Sequence, residues 1–231
     1  MATKSAFSGF SPAGLQFLGD LKENNDRDWF QPRKPLFDEH VRLPMIELVR
    51  AVHVEMLRFA PGYVGDPAKC LFRIYRDTRF SNDKTPYKTH IAAWMKPNFA
   101  GKGDPYAGFY FSVSSTVVEI AAGTYAPDPP TLLKLRQRIA EDHKGYRATF
   151  DSTKFRKIAG GLMTESLTRA PKGFDPAHPA IDLIRLKHHV IYEELDSAIA
   201  LTPKLMPEIV KRFAAMVPFV EYLNGALRPV R

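Results

Sequence analysis

Five cations, Arg73, Arg76, Arg79, Lys84 and Lys88, fall within one short stretch, interleaved with Asp77, Asp83, Tyr87 and His90. Guanidinium forks take phosphate or carboxylate oxygens two at a time, and a lysine adds a compact charge. A tyrosine hydroxyl and a titrating imidazole could support them. The chemistry these residues could do is therefore the holding of an anion. A second reading stands beside it: Asp77 and Asp83 neutralise the cations, and the box is a polar network that fixes a loop.

The wider charge distribution agrees with a local concentration. The 231 residues carry a net charge of +8. The segment 69–102 holds eight Lys or Arg against Asp77 and Asp83, and 134–157 holds eight against Glu141, Asp142 and Asp151. The first 60 residues balance, with eight of each sign. Such patches attract phosphates and carboxylates, so an anionic small molecule is the first expected partner and nucleic acid the second. A third reading is an interaction module without catalysis.

Most other chemistries find no support. There is no phosphate-cradling G-x-x-x-x-G-K-[ST], no G-x-G-x-x-G and no G-x-S-x-G elbow. H-E-x-x-H and C-x-x-C are also missing, and His188 and His189 point to opposite faces if they lie on a strand. No metal and no cofactor is expected. Gly108-Phe109-Tyr110-Phe111 is superficially like the aromatic strand of RNA-recognition domains. However, Ala107 stands where a basic residue belongs, and Tyr110 and Ser112 replace small and β-branched positions. Glu119 is the one acid in an apolar run and reads as the wet face of a strand rather than a raised-pKa base.

The elements that must position these residues can be read from their periodicity. Ser11-Pro12 starts a helix carrying Leu15, Leu18 and Leu21, ended by Asn24-Asn25. A second helical pattern runs through Leu36, Phe37, His40 and Val41, with Pro44 expected to break or kink it, and resumes from Met45 to Met56. Short β-rich runs follow at 70–75, 91–95, 109–113 and 117–121, with 113–117 as a hairpin and 189–193 as a fifth strand. Helices are expected from Asp128 to His143, from Ala177 to Leu186 and from Thr202-Pro203 towards Gly225. The expected fold is α+β: an antiparallel sheet of about five strands flanked by N-terminal and C-terminal helices, in a single domain over 1–231.

Residues 71–90 read LFRIYRDTRFSNDKTPYKTH, and RAPKGFDPAHPAIDLIRLK follows later. With FSPAGLQFLGDLKENNDRDWF, GFYFSV, GTYAP and LRQRIAED, these boxes span roughly 10–190 in order. The chain thereby closely resembles an uncharacterised family of bacterial and fungal proteins, domain of unknown function 2461. That resemblance implies no activity. Cys70 is the single cysteine, which excludes an internal disulfide and fits a reducing compartment. Residues 1–10 do not read as a secretory signal, and no run of about 18 apolar residues occurs, so a cytoplasmic protein without a membrane span is expected.

Overall fold

The computed structural model describes residues 7–79, 81–101 and 103–228. Eight α-helices are described: α1 (Pro12–Glu23), α2 (Arg27–Phe37), α3 (Leu43–Met56), α4 (Pro129–Glu141), α5 (His143–Ala148), α6 (Thr153–Ala159), α7 (Ile181–Ile184) and α8 (Leu205–Leu227). Five strands, β1 (His90–Met95), β2 (Gly108–Ser114), β3 (Val117–Thr124), β4 (Gly161–Leu162) and β5 (His189–Asp196), form one antiparallel sheet in the order β1-β2-β3-β5-β4. The α+β class and helices at both ends of the sheet match the expectation. Contacts divide the chain into two compact units. One comprises Met1–Met95, Tyr110–Ile120 and Glu194–Val210; the other comprises Lys96–Phe109, Ala121–Glu193 and Lys211–Arg231.

In the first unit the helices begin where local hydrogen bonding dictates. Ser11 accepts the Gly14 N–H (3.3 Å), with Pro12 in the first turn, and Asp26 accepts the Trp29 N–H (2.8 Å). Pro44 does not break the second helical run. A single π turn, Asp38–Arg42, absorbs it between α2 and α3. Proline lacks the N–H that an α-helix would send to the His40 carbonyl. α1 packs closely there: a Cβ on Gly14 would lie 2.4 Å from the His40 oxygen, so only glycine fits. Phe17, Phe30 and Phe37 form the aromatic core of these helices.

The β2–β3 hairpin turns at Ser114, whose Oγ accepts the Thr116 and Val117 N–H groups (3.2 and 3.0 Å). Along β2, Phe109, Phe111 and Val113 are buried on one face, and Tyr110, Ser112 and Ser114 alternate on the other. One expected strand is not one. Residues 70–75 form isolated bridges only, Leu71 with Ala93 and Tyr75 with Tyr87. The remaining strand is the two-residue β4 against β5.

In the second unit α8 lays Phe213 against Phe109 (5.0 Å between centroids) and Phe219 against Tyr146 (5.6 Å). The buried Asn224 amide grips both backbone groups of Ala107. Its Oδ1 accepts the N–H (2.8 Å), and its Nδ2 donates to the carbonyl (3.0 Å). Here α7 is shorter than expected, because Asp175 and His178 hold the preceding residues in turns. No helix among the described residues is long and apolar enough to cross a membrane.

Candidate functional site

The 71–90 box is a hairpin with a slipped register. The Phe72 N–H donates to the Ala92 carbonyl (2.9 Å), the Lys88 N–H to Ile74 (2.8 Å) and the Arg76 N–H to Pro86 (2.9 Å). Between the first two bonds, Thr89, His90 and Ile91 on one side face Arg73 alone on the other. This bulge interrupts the ladder, which is why the segment carries bridges rather than a strand. It also bunches Arg73, Lys88 and His90.

The five cations divide into two sets. Arg76 bonds Asp83 and the Thr85 hydroxyl at short range. Arg79 makes a two-pronged pair with Asp77, Nε to Oδ1 at 2.9 Å and Nη2 to Oδ2 at 2.7 Å. Lys84 donates to the Thr78 carbonyl (2.9 Å). These three fasten the 77–85 loop. By contrast, Arg73 and Lys88 form no ion pair among the described residues. Lys88 caps the Phe72 ring at 4.9 Å. Burial and the neighbouring Arg73 charge both lower its pKa.

The loop carboxylates follow the same division. The Arg79 side chain, with its backbone N–H, holds Asp77 down at about 2. The Thr85 N–H and then Arg76 hold Asp83 down at about 2. A carboxyl lowered by folding contributes stability above its ordinary range and loses it as pH falls through its folded value. The loop is therefore expected to keep both pairs through pH about 4 and release them towards about 2. A 13C titration should show both midpoints well below the ordinary carboxylate value; ordinary midpoints would show that the pairs do not persist in solution.

Tyr87 belongs to the core. Its ring stacks on Phe30 (4.1 Å), its hydroxyl accepts from Gln31 (3.3 Å), and the Asn25 amide bonds both its N–H and its carbonyl (3.0 and 2.9 Å). The box is thereby pinned to the turn between α1 and α2.

His90 lies at the head of β1 with a different set of companions. The strand alternation puts Tyr110, Ser112 and Glu119 on the polar face of β2 and β3. Ser112 donates to Glu119 Oε2 (2.6 Å), and the Tyr110 hydroxyl interacts with both. Burial pushes Tyr110 up to about 12, so its proton stays in place. Burial also lowers His90, against the opposing pull of Glu119 and with a further push from Lys88. The group offers a neutral imidazole, a firmly protonated phenol and a carboxylate beside two cations. Such a set can donate and accept protons.

Sequence reading missed Tyr110, Ser112 and Glu119 as companions of the box, although the Phe-Tyr-Phe-Ser-Val alternation of β2 carries the signal. Phe72 was missed as well; its ring meets Tyr110 at 6.2 Å.

The other polar groups find partners nearer home. In the second basic segment Arg138 pairs with Asp142, Arg147 with Asp182 and Arg156 with Asp151. Arg136 donates to the Ile184 and Leu186 carbonyls. Burial pushes the Cys70 thiol up to about 11, which makes it a poor nucleophile. His188 precedes β5 and His189 begins it, and the two rings find different partners. His188 bonds Glu165 (2.9 Å) and stacks on Tyr125, whereas His189 bonds the Tyr146 hydroxyl (2.8 Å). No group of three or more His, Cys, Asp or Glu is placed to hold a metal among the described residues.

A family model described as a conserved hypothetical protein (DUF2461) matches residues 13–222. The chain belongs to this family. No curated protein and no solved structure matches it. The match covers the whole box and all the residues grouped around His90.

Proposed function

We propose that this DUF2461 protein binds an anionic small molecule, phosphorylated or carboxylated, through Arg73 and Lys88, with His90 and Tyr110 beside the ligand. One observation carries the reading. Two neighbouring cations form no ion pair among the described residues, Arg73 feeling Asp77 only at longer range, while Arg76 and Arg79 in the same box are directly paired. Bringing like charges together without a directly paired counter-ion is unfavourable, and an incoming anion relieves that cost. Arg76, Arg79, Lys84, Asp77 and Asp83 then support the site by shaping its loop. The pairing of the arginines in the second basic segment lends no support to an extended nucleic-acid surface.

A thermal-shift and calorimetric screen of phosphates and carboxylates tests this. Loss of one charge-assisted contact typically costs about 1.5–3 kcal/mol. Arg73→Ala and Lys88→Ala are therefore each expected to weaken binding by about tenfold or more. Arg79→Ala, which removes a cation already matched by Asp77, is expected to leave affinity within about threefold. The reverse ranking would move the site to the loop. Salt-sensitive binding to unrelated oligonucleotides, with no compact ligand taken up, would replace the proposal with a basic-patch reading.

A further inference from the structure

We infer that the ligand of this site carries an aromatic ring next to its phosphate or carboxylate, and that Phe72 is the surface on which that ring lies. The inference rests on the reading of Arg73 and Lys88 as the anion-holding pair and adds the chemical class of what they hold. A lone exposed apolar side chain is ordinary on a protein surface. Phe72 differs in how it is held and in what surrounds it.

Phe72 is 46% exposed, yet its backbone is fixed by the bond to Ala92 and the neighbouring Leu71–Ala93 bridge. Lys88 Nζ stands over the ring at 4.9 Å, and Tyr110 meets it at a tilt of 57°. The Arg73 charge is near enough to act on Lys88. An anion reaching Lys88 and Arg73 therefore arrives beside an aromatic surface whose position is already set. The ordering cost that a mobile ring would add is reduced.

The quadrupole supports the same geometry. A cation over an aromatic ring is drawn to the electron-rich face. The Lys88 ammonium therefore touches both the Phe72 ring and the approaching anion, so that anion and ring are read together. A second ring stacking in an offset or tilted way on Phe72 or Tyr110 adds affinity beyond buried area. Aromatic carboxylates, aryl phosphates and nucleotides share this pattern. Inorganic phosphate and short alkyl phosphates lack it.

Calorimetry with inorganic phosphate, methyl phosphate and phenyl phosphate separates this inference from the one beneath it. On the full chain, phenyl phosphate is expected to bind about tenfold tighter than methyl phosphate. Phe72→Leu keeps an apolar side chain but removes the ring. It is expected to shrink that advantage to about twofold while leaving methyl phosphate affinity nearly unchanged. Ring resonances of Phe72 should shift on adding phenyl phosphate in NMR spectra. If methyl and phenyl phosphate bind equally well, the aromatic inference falls and the anion site stands. It also falls if Phe72→Leu weakens both equally, since the ring would then serve only to place Lys88. Failure of all three ligands to bind removes the site itself.

Discussion

Taking the protein from about pH 6.5 to about pH 4 is expected to cost it on the order of 3 kcal/mol of stability, and His189→Gln should remove most of that loss. The His189 ring has no exposed surface. One ring nitrogen meets the Tyr146 hydroxyl, and Nε2 finds no partner among the described residues. Burial first, then the charges of Arg136 and His188, hold its pKa down at about 3. Its folded pKa thus lies below the ordinary imidazole value, so the unfolded chain takes up a proton that the folded chain refuses. Stability is complete above about 6.5 and falls by about 1.4 kcal/mol per pH unit until pH reaches the folded value. His53 and His90 are displaced the same way, and both add to the slope. The depressed carboxyls Asp77 and Asp83 act lower, towards about 2. Denaturant unfolding at about pH 7, 6, 5 and 4 would reveal the slope. An equal slope in His189→Gln would assign the acid sensitivity elsewhere.

A larger loss is expected from a single methyl group. Gly123 in β3 has φ +130°, and a Cβ there would lie 2.0 Å from the His189 carbonyl oxygen and 3.0 Å from the Phe219 ring. Neither the strand backbone nor the packed ring can retreat without disturbing the β3–β5 pairing. Gly123→Ala is therefore expected to cost more than about 4 kcal/mol, or to leave no soluble folded protein. Gly225→Ala is the control. Among the described residues nothing lies within 4 Å of its added Cβ, and the position is helical, so stability should be unchanged or higher by up to about 1 kcal/mol. A Gly123→Ala protein that unfolds at the wild-type denaturant midpoint would contradict the close approach.

These two sites also show why some of the fold could be read in advance and some could not. Ser11, Asp26 and Asp128 each act on an N–H three residues away, so the starts of α1, α2 and α4 are written locally. The turn at Ser114 is equally local. β4 is not, because Gly161 and Leu162 gain strand character only from their partners Tyr192 and Ile191. Gly123 gives no sign in sequence of the carbonyl it must admit.

The site divides in the same manner. The pairing of Arg79 with Asp77 spans two residues, and that possibility was open from the outset. That Arg76 takes Asp83 while Lys88 is turned onto Phe72 depends on the register slip opposite Arg73, and no periodicity announces it. The companionship of His90 with Tyr110 and Glu119 needs three strands side by side.

The double grip of Asn25 on Tyr87 ties the order of events during folding to the geometry of the hairpin. Both bonds cross 62 positions of chain. They form only once α1, α2 and the hairpin have met, and contacts so distant in sequence slow folding relative to local ones. Phe30, which stacks on Tyr87, is fully buried and arrives with the same helices. The spacing of the cations at 73 and 88 thus depends on the first two helices being in place. A fragment comprising the hairpin and sheet without the first two helices would contain every charged residue of the box, yet no anchor to hold them in place.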